Sequence, residues 1–361
     1  RAIYNKTFTI VLIIFNFFVK LNYSKMRCLF AIVLLLPLLF SCKHKSIPDV
    51  SNINVSLTTK RFEKDLFSCD SATIATKINE LETKYPSFGN NFFYRILNTD
   101  PRWSTDSINI YVGGFINSYK GIYDSAELIF NDFTPYEEKI KEGLQFVKYY
   151  FPDYKLPEKI ITYIGPLDGY GDILADDALI VGLHHHLGKN FSAYKSSWLQ
   201  ESYPDYISAR FEPDYISINC VRNILSDIYP EKEDDRPLID QMVEKGKRLY
   251  LLSKLQPYAE EYKLIGYTEK QLADCYAHEA VIWNFFIQNS FLQATDPDIT
   301  KNYIDDGPKT QELGEGAPGN LGSFAGWQIV KKYMQMNSST TLQQLMNKDA
   351  DDLFQETKYK P

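Results

Sequence analysis

The chain lacks the features that most quickly betray a function. Positive charge is not in excess: 39 Lys and Arg stand against 46 Asp and Glu, for a formal net charge of −7. No basic block gathers, which argues against a nucleic-acid partner. Cysteine is scarce, five residues in 361. Cys69, Cys220 and Cys275 stand far apart and match no metal-binding spacing; even an oxidising compartment allows them at most one internal bridge. Buried free thiols are expected for Cys220 and Cys275, which sit among apolar neighbours. No linker rich in Pro, Gly or Ser divides the body, and no internal repeat is visible. The apolar run Phe8 to Val19 falls short of the roughly 20 residues a membrane span needs.

The zinc-hydrolase motif is also missing. Two histidines at i and i+4 with a glutamate beside the first would face one metal from a helix. The nearest approach is His278-Glu279-Ala280-Val281-Ile282, whose last position is isoleucine and ligates nothing. The Gly-rich stretch 313–326 lacks the Gly-Lys-Ser/Thr ending of a phosphate loop, because Asn320 follows Gly319. It reads as a tight loop that uses its glycines for positive φ and leads into a helix from about Ser323.

What is present begins with a targeting signal. The first methionine is Met26, so residues 1–25 are read as an untranslated upstream extension. Residues 26–41 carry a basic start and an apolar run, the pattern of a secretory signal. Leu39-Phe40-Ser41-Cys42 is similar to a bacterial lipobox, in which Cys42 is acylated and ties the protein to a membrane. Residues 42–54 then form the anchor and a polar tether, 55–350 the main domain and 351–361 a C-terminal tail. The body is expected to face the periplasm.

Within the body, 26 Tyr and 23 Phe imply a large aromatic core. Thr134-Pro135-Tyr136-Glu137 reads as a capping box for a helix over 135–151, with Ile140, Leu144, Val147 and Phe151 on one stripe. Asp235 and Pro237 open a helix that stops before Pro257, and Gly246 inside it signals a close neighbour. Thr268 and Gln271 cap a third helix over about 269–290. Between the first two lie a β-branched run at 159–164, a Gly/Pro/Asp turn, and a strand over 173–183. The class is α+β: a mainly helical body with a small embedded sheet.

Three of the five histidines are consecutive, His184, His185 and His186. If the strand continues through them, His184 and His186 share one face, and such a pair can chelate zinc or copper. The third ligand would have to be His278 or Glu279. The other reading makes the triplet the end of a strand. Glu279 falls with Leu272, Cys275, Tyr276, Ile282, Trp283 and Phe286 on one helical stripe. It is therefore either a ligand-binding acid or a buried carboxylate with a structural partner.

Residues 48–67, 179–190, 238–252, 276–297 and 317–334, in that order, resemble the gliding-motility lipoprotein family GldB of the Bacteroidota. The resemblance covers essentially the whole body, and Pro318-Gly319 through Gly326-Trp327-Gln328-Ile329-Val330 is its most specific part. It implies a degenerate zincin-like fold without a working zinc motif, hence a pseudoenzyme. The implied role is a non-catalytic envelope lipoprotein supporting gliding motility and the linked secretion machinery through protein–protein contact, with no cofactor. The alternative is a metal-dependent, zinc-using hydrolase with an atypical site at His184, His186, His278 and Glu279.

Overall fold

The computed structural model describes residues 47–69, 73–232, 235–314 and 316–361. Cys42 and the segments 1–25 and 26–41 lie outside the described residues. Residues 50–361 form one compact unit, and it is α+β.

The sheet has four strands, β1 (Thr58–Arg61), β2 (Lys159–Tyr163), β3 (Ile173–Leu174) and β4 (Ala178–Gly182), in the order β1-β2-β4-β3. β1 pairs in parallel with β2, and β2 in parallel with β4; β3 closes the far edge antiparallel to β4. The two central strands, KIITY and ALIVG, are buried almost throughout, as strands covered on both faces must be. The single strand expected over 173–183 is in fact two. Asp176 and Asp177 sit in a tight turn, where Ala175 and Ala178 exchange backbone hydrogen bonds of 2.9 and 3.4 Å, and aspartate favours such turns.

Around the sheet lie α1 (Phe62–Phe67), α2 (Ile74–Lys84), α3 (Thr105–Phe130), α4 (Thr134–Tyr150) and α5 (Tyr215–Ile228). Then come α6 (Leu238–Leu255), α7 (Glu269–Ala277), α8 (Glu279–Gln288), α9 (Pro297–Ile304), α10 (Leu321–Met336), α11 (Leu342–Asn347) and α12 (Ala350–Thr357). α4 buries Ile140, Leu144 and Val147 as its stripe requires. Its expected capping box does not form: Thr134 is already inside the helix, and the Asp132 carboxylate accepts the Thr134 N–H at 2.9 Å instead. The Thr268–Gln271 box at the start of α7 does form, in both directions.

The central helix pair is α6 and α10. A methyl group added to Gly246 would fall on the carbonyl of Gly326, and one added to Gly326 would fall on the carbonyl of Met242. The two backbones touch, and only glycine permits it. In the loop before α10, Gly314 has φ +92°, but Asn320 takes the left-handed conformation too, at φ 58°. Gly319 is required for a different reason, since any side chain there would meet the backbone of Gly307. The segment 351–361 is mostly helix, not a loose tail: α12 packs on α6 and α10, and Tyr359 beyond it is buried. Cys220 and Cys275 are buried free thiols, and Cys69 is partly exposed, its Sγ 3.7 Å from Thr73 Oγ1.

Candidate functional site

β4 does not run on through the histidines. Gly182 ends it, and Leu183–His185 make one tight helical turn. The alternation that would have put His184 and His186 on a common face is therefore absent. All three rings are buried instead, at the ends of β2 and β4, under the loop 164–172.

Each ring has structural work. His184 Nδ1 accepts the Gly165 N–H at 3.1 Å, and its Nε2 reaches the carbonyl of Tyr170 at 3.0 Å. Those partners fix the neutral tautomer with hydrogen on Nε2. Burial, then the neighbouring His185, holds its pKa well below the usual value. The His185 ring stacks on Phe211 at 4.3 Å and its Nε2 donates to the Leu167 carbonyl at 2.8 Å. Burial pushes its pKa down to about 4.

His186 differs. Its Nδ1 faces the carbonyl of Glu212 at 3.1 Å, and its Nε2 lies 2.9 Å from Asp172 Oδ2. Both partners are acceptors only, so both nitrogens carry hydrogen and the ring is cationic. Burial works against that charge, but the buried Asp172 carboxylate outweighs it and raises the pKa. Asp172 is held in turn by Asn219 Nδ2 at 2.9 Å and the Gly182 N–H at 3.1 Å. Burial would raise its pKa, but His186 and these donors bring it below the usual value.

Tyrosines bind the covering loop to this core. Tyr163 Oη lies 2.5 Å from the Tyr170 carbonyl and 2.9 Å from that of Gly171. Tyr203 donates to the Gly169 carbonyl at 2.6 Å, and Tyr194 donates to that of His184 at 2.5 Å while accepting the Leu187 N–H. These three hydroxyls satisfy carbonyl groups of the covering loop and the histidine turn inside an apolar interior.

His278 and Glu279 belong to another part of the molecule, the junction of α7 and α8. The expected helix over 269–290 breaks at His278, which has φ −117° and ψ 21°. Its ring Nδ1 lies 2.8 Å from the Asp274 carbonyl, the same oxygen that its own N–H reaches at 3.0 Å. His278 is exposed. The break rotates α8 relative to α7, so Leu272, Cys275, Ile282, Trp283 and Phe286 stay in the core while Tyr276 and Glu279 leave it. Glu279 is only partly buried and accepts a hydrogen bond from the Tyr359 hydroxyl.

The buried carboxylates are elsewhere, at Asp172 and Glu63. Glu63, on α1, accepts from Thr162 Oγ1 at 2.7 Å and from Arg61 Nε at 2.5 Å, and burial raises its pKa. The signal for Glu63 is its place beside Phe62, Leu66 and Phe67 in a short stretch that mixes apolar and charged residues; Asp172 gives none beyond its turn. Among the described residues, no three His, Cys, Asp or Glu side chains are placed to hold a metal ion.

A family model described as gliding motility protein GldB matches residues 43–361. No curated protein and no solved structure matches the chain. With the match running over the sheet, the histidine core and the α6–α10 pair alike, the chain belongs to the GldB gliding motility family.

Proposed function

We propose that this protein is a non-catalytic envelope lipoprotein, anchored through Cys42, whose body serves the gliding apparatus and its linked secretion machinery by binding other envelope proteins. One observation carries the reading: the two histidines that would have to form the core of a metal site, His184 and His186, are consumed by the fold. A zinc ligand must offer a free lone pair on a neutral imidazole. The lone pair of His184 is taken by the Gly165 N–H, and a His186 ring that donates through both nitrogens has none. The broken helix at His278 supports the same reading, as does the Glu279–Tyr359 hydrogen bond.

Docking finds support in the outer face of α3. Ile110 and Leu128 are 77% and 88% exposed and lie a whole number of helical turns apart, hence on one face. Gly114 and Gly121 lie on that face too, and a side chain added to either would meet nothing. No helix among the described residues is long and apolar enough to cross a membrane, so attachment is assigned to the acylated cysteine.

The test is metal analysis of purified residues 43–361 beside affinity capture of the lipidated protein from its own envelope. The expected result is no stoichiometric zinc, with envelope components retained and then lost on Ile110→Glu plus Leu128→Glu. One zinc per chain, removed by His184→Ala or His186→Ala, would overturn this reading and favour the metal-dependent hydrolase instead. Radiolabelled fatty acid should enter the protein and fail to enter Cys42→Ser.

A further inference from the structure

We infer that the cavity between α5, α6 and the start of α10 is a binding site for a phosphate group. It has a volume of about 200 Å³ and is lined by Arg210, Arg222, Lys245 and Arg248, against only two acids, Glu231 and Asp306. The chain as a whole is acidic, so this concentration of cations runs against its composition. Both acids are already held: Glu231 by Lys245 at 2.7 Å and Arg248 at 3.5 Å, Asp306 by Arg210 at 2.7 Å.

Arg222 has no such partner. Its guanidinium makes one hydrogen bond, from Nη2 to the Leu264 carbonyl at 3.0 Å, and no carboxylate of the described residues comes within ion-pair distance, although Asp306 and Glu231 attract it from further off. A guanidinium has five N–H donors, so most of its capacity is unspent. Burial, followed by repulsion from Arg210, pulls its pKa down to about 10. An anion in the cavity would relieve both.

The opposite wall supplies a second, independent observation. Ser323 lines the cavity and is 2% exposed, and its hydroxyl has no hydrogen-bond partner. A buried hydroxyl left unsatisfied is destabilising, and a ligand acceptor would remove that cost. Ser323 stands in the first turn of α10, a helix of 16 residues whose start has no side-chain cap. Uncapped N–H groups and the positive end of the helix dipole favour an anion there. Asn320 Oδ1 borders the same space, also without a partner; a half-turn of its amide presents NH₂ instead.

The shape limits the ligand. About 200 Å³ holds a phosphate and a few waters, given ~30 Å³ per water, and is below the ~300 Å³ of a site that encloses a drug-sized molecule. The cavity seats only the phosphate. Anything attached to it would extend into the adjoining cavities, one sharing Lys245 and Arg248 with this one and the other sharing Arg210 and Asn320.

The site is tested by titrating the full body, at fixed ionic strength, with inorganic phosphate and with glycerol 3-phosphate, following heat and thermal midpoint. We expect saturable 1:1 binding in the millimolar range or tighter, weakened about tenfold or more by Arg222→Gln, which removes a charge-assisted contact. Ser323→Ala supplies the control for folding. Without ligand it should hold or raise the thermal midpoint, because it deletes an unsatisfied group, yet it should shrink the upshift that phosphate produces. Tighter binding of glycerol 3-phosphate identifies a headgroup as the source, and equal or weaker binding identifies free phosphate. No saturation by either compound up to about 10 mM, or a Ser323→Ala protein that binds as well as the parent, would overturn the assignment.

Discussion

His186 keeps a charge inside a folded body because Asp172 meets it at 2.9 Å and because Asn219 and the Gly182 N–H complete the carboxylate's shell. Removing one partner of such a pair leaves the other charge buried alone and costs about 3–5 kcal/mol. Asp172→Asn should therefore lower the stability measured by urea titration by that order, and His186→Ala should do much the same. The double variant should cost less than the sum of the two. The neighbouring rings act oppositely. His184 and His185 have folded pKa values below the ordinary 6.5, so the unfolded chain takes up protons first and stability falls as pH drops below about 6.5. For His185 the fall continues to about pH 4 and amounts to about 3 kcal/mol. His186, whose folded pKa is raised, contributes fully below about 6.5 and loses its contribution as pH rises through the folded value. Asp172 contributes above about 3.9 and loses its contribution as pH falls through its depressed folded value. His185→Phe, which keeps the stack on Phe211, should flatten the slope of unfolding free energy between pH 6.5 and 4. An unchanged slope would show that His185 is not the group responsible.

At the scale of the element, what could be read in advance was local. Thr268 with Gln271 announces its helix start, and substituting alanine for Thr268 should cost about 1 kcal/mol. Gly246 announced a close neighbour without naming it; the neighbour is Gly326, in the segment that carries the family resemblance most specifically. Gly326→Ala would drive a methyl group into the Met242 carbonyl. The helices must then separate, at a cost of about 3 kcal/mol or more, read as a lower denaturation midpoint. What could not be read was set at a distance. β1 is four residues, TTKR, at the end of the sheet order with half its positions exposed, so it shows neither an apolar run nor an alternation of apolar and polar residues; its pairing with Lys159–Thr162 makes it a strand. The break at His278 carries no Gly or Pro, and a side-chain contact with Asp274 accompanies it. The histidines form a facing pair only if strand alternation runs past Gly182, and it stops there. The partner that explains His186 lay in a turn, fourteen residues away. Helix starts and apolar stripes point to a helical body, and the fold has one, but buried polar partners leave no periodic trace in a sequence.

For the molecule as a whole, the carboxyl-terminal segment is part of the core. α12 lies on α6 and α10, and Tyr359 reaches across to Glu279. Deleting residues 350–361 should expose the apolar faces of α6 and α10, and hydrogen exchange in both helices should rise sharply. Tyr359→Phe removes only a partly exposed hydrogen bond and should cost about 1 kcal/mol or less. Lys247 shows the same integration: buried on α6, it donates to the Met346 and Lys348 carbonyls at 3.3 and 2.8 Å and pairs with Glu244 at 2.8 Å.

The parallel pairing of β1 with β2 also bears on the order in which the body is built. No hairpin can join those strands, because α1, α2, α3 and α4 lie between them in the chain, and contacts so remote in sequence form slowly. β1 comes first among the strands in chain order, and its partner residues on β2 lie about a hundred positions further on. Until that stretch of chain is present, the backbone donors and acceptors of β1 that face β2 lack their native partner.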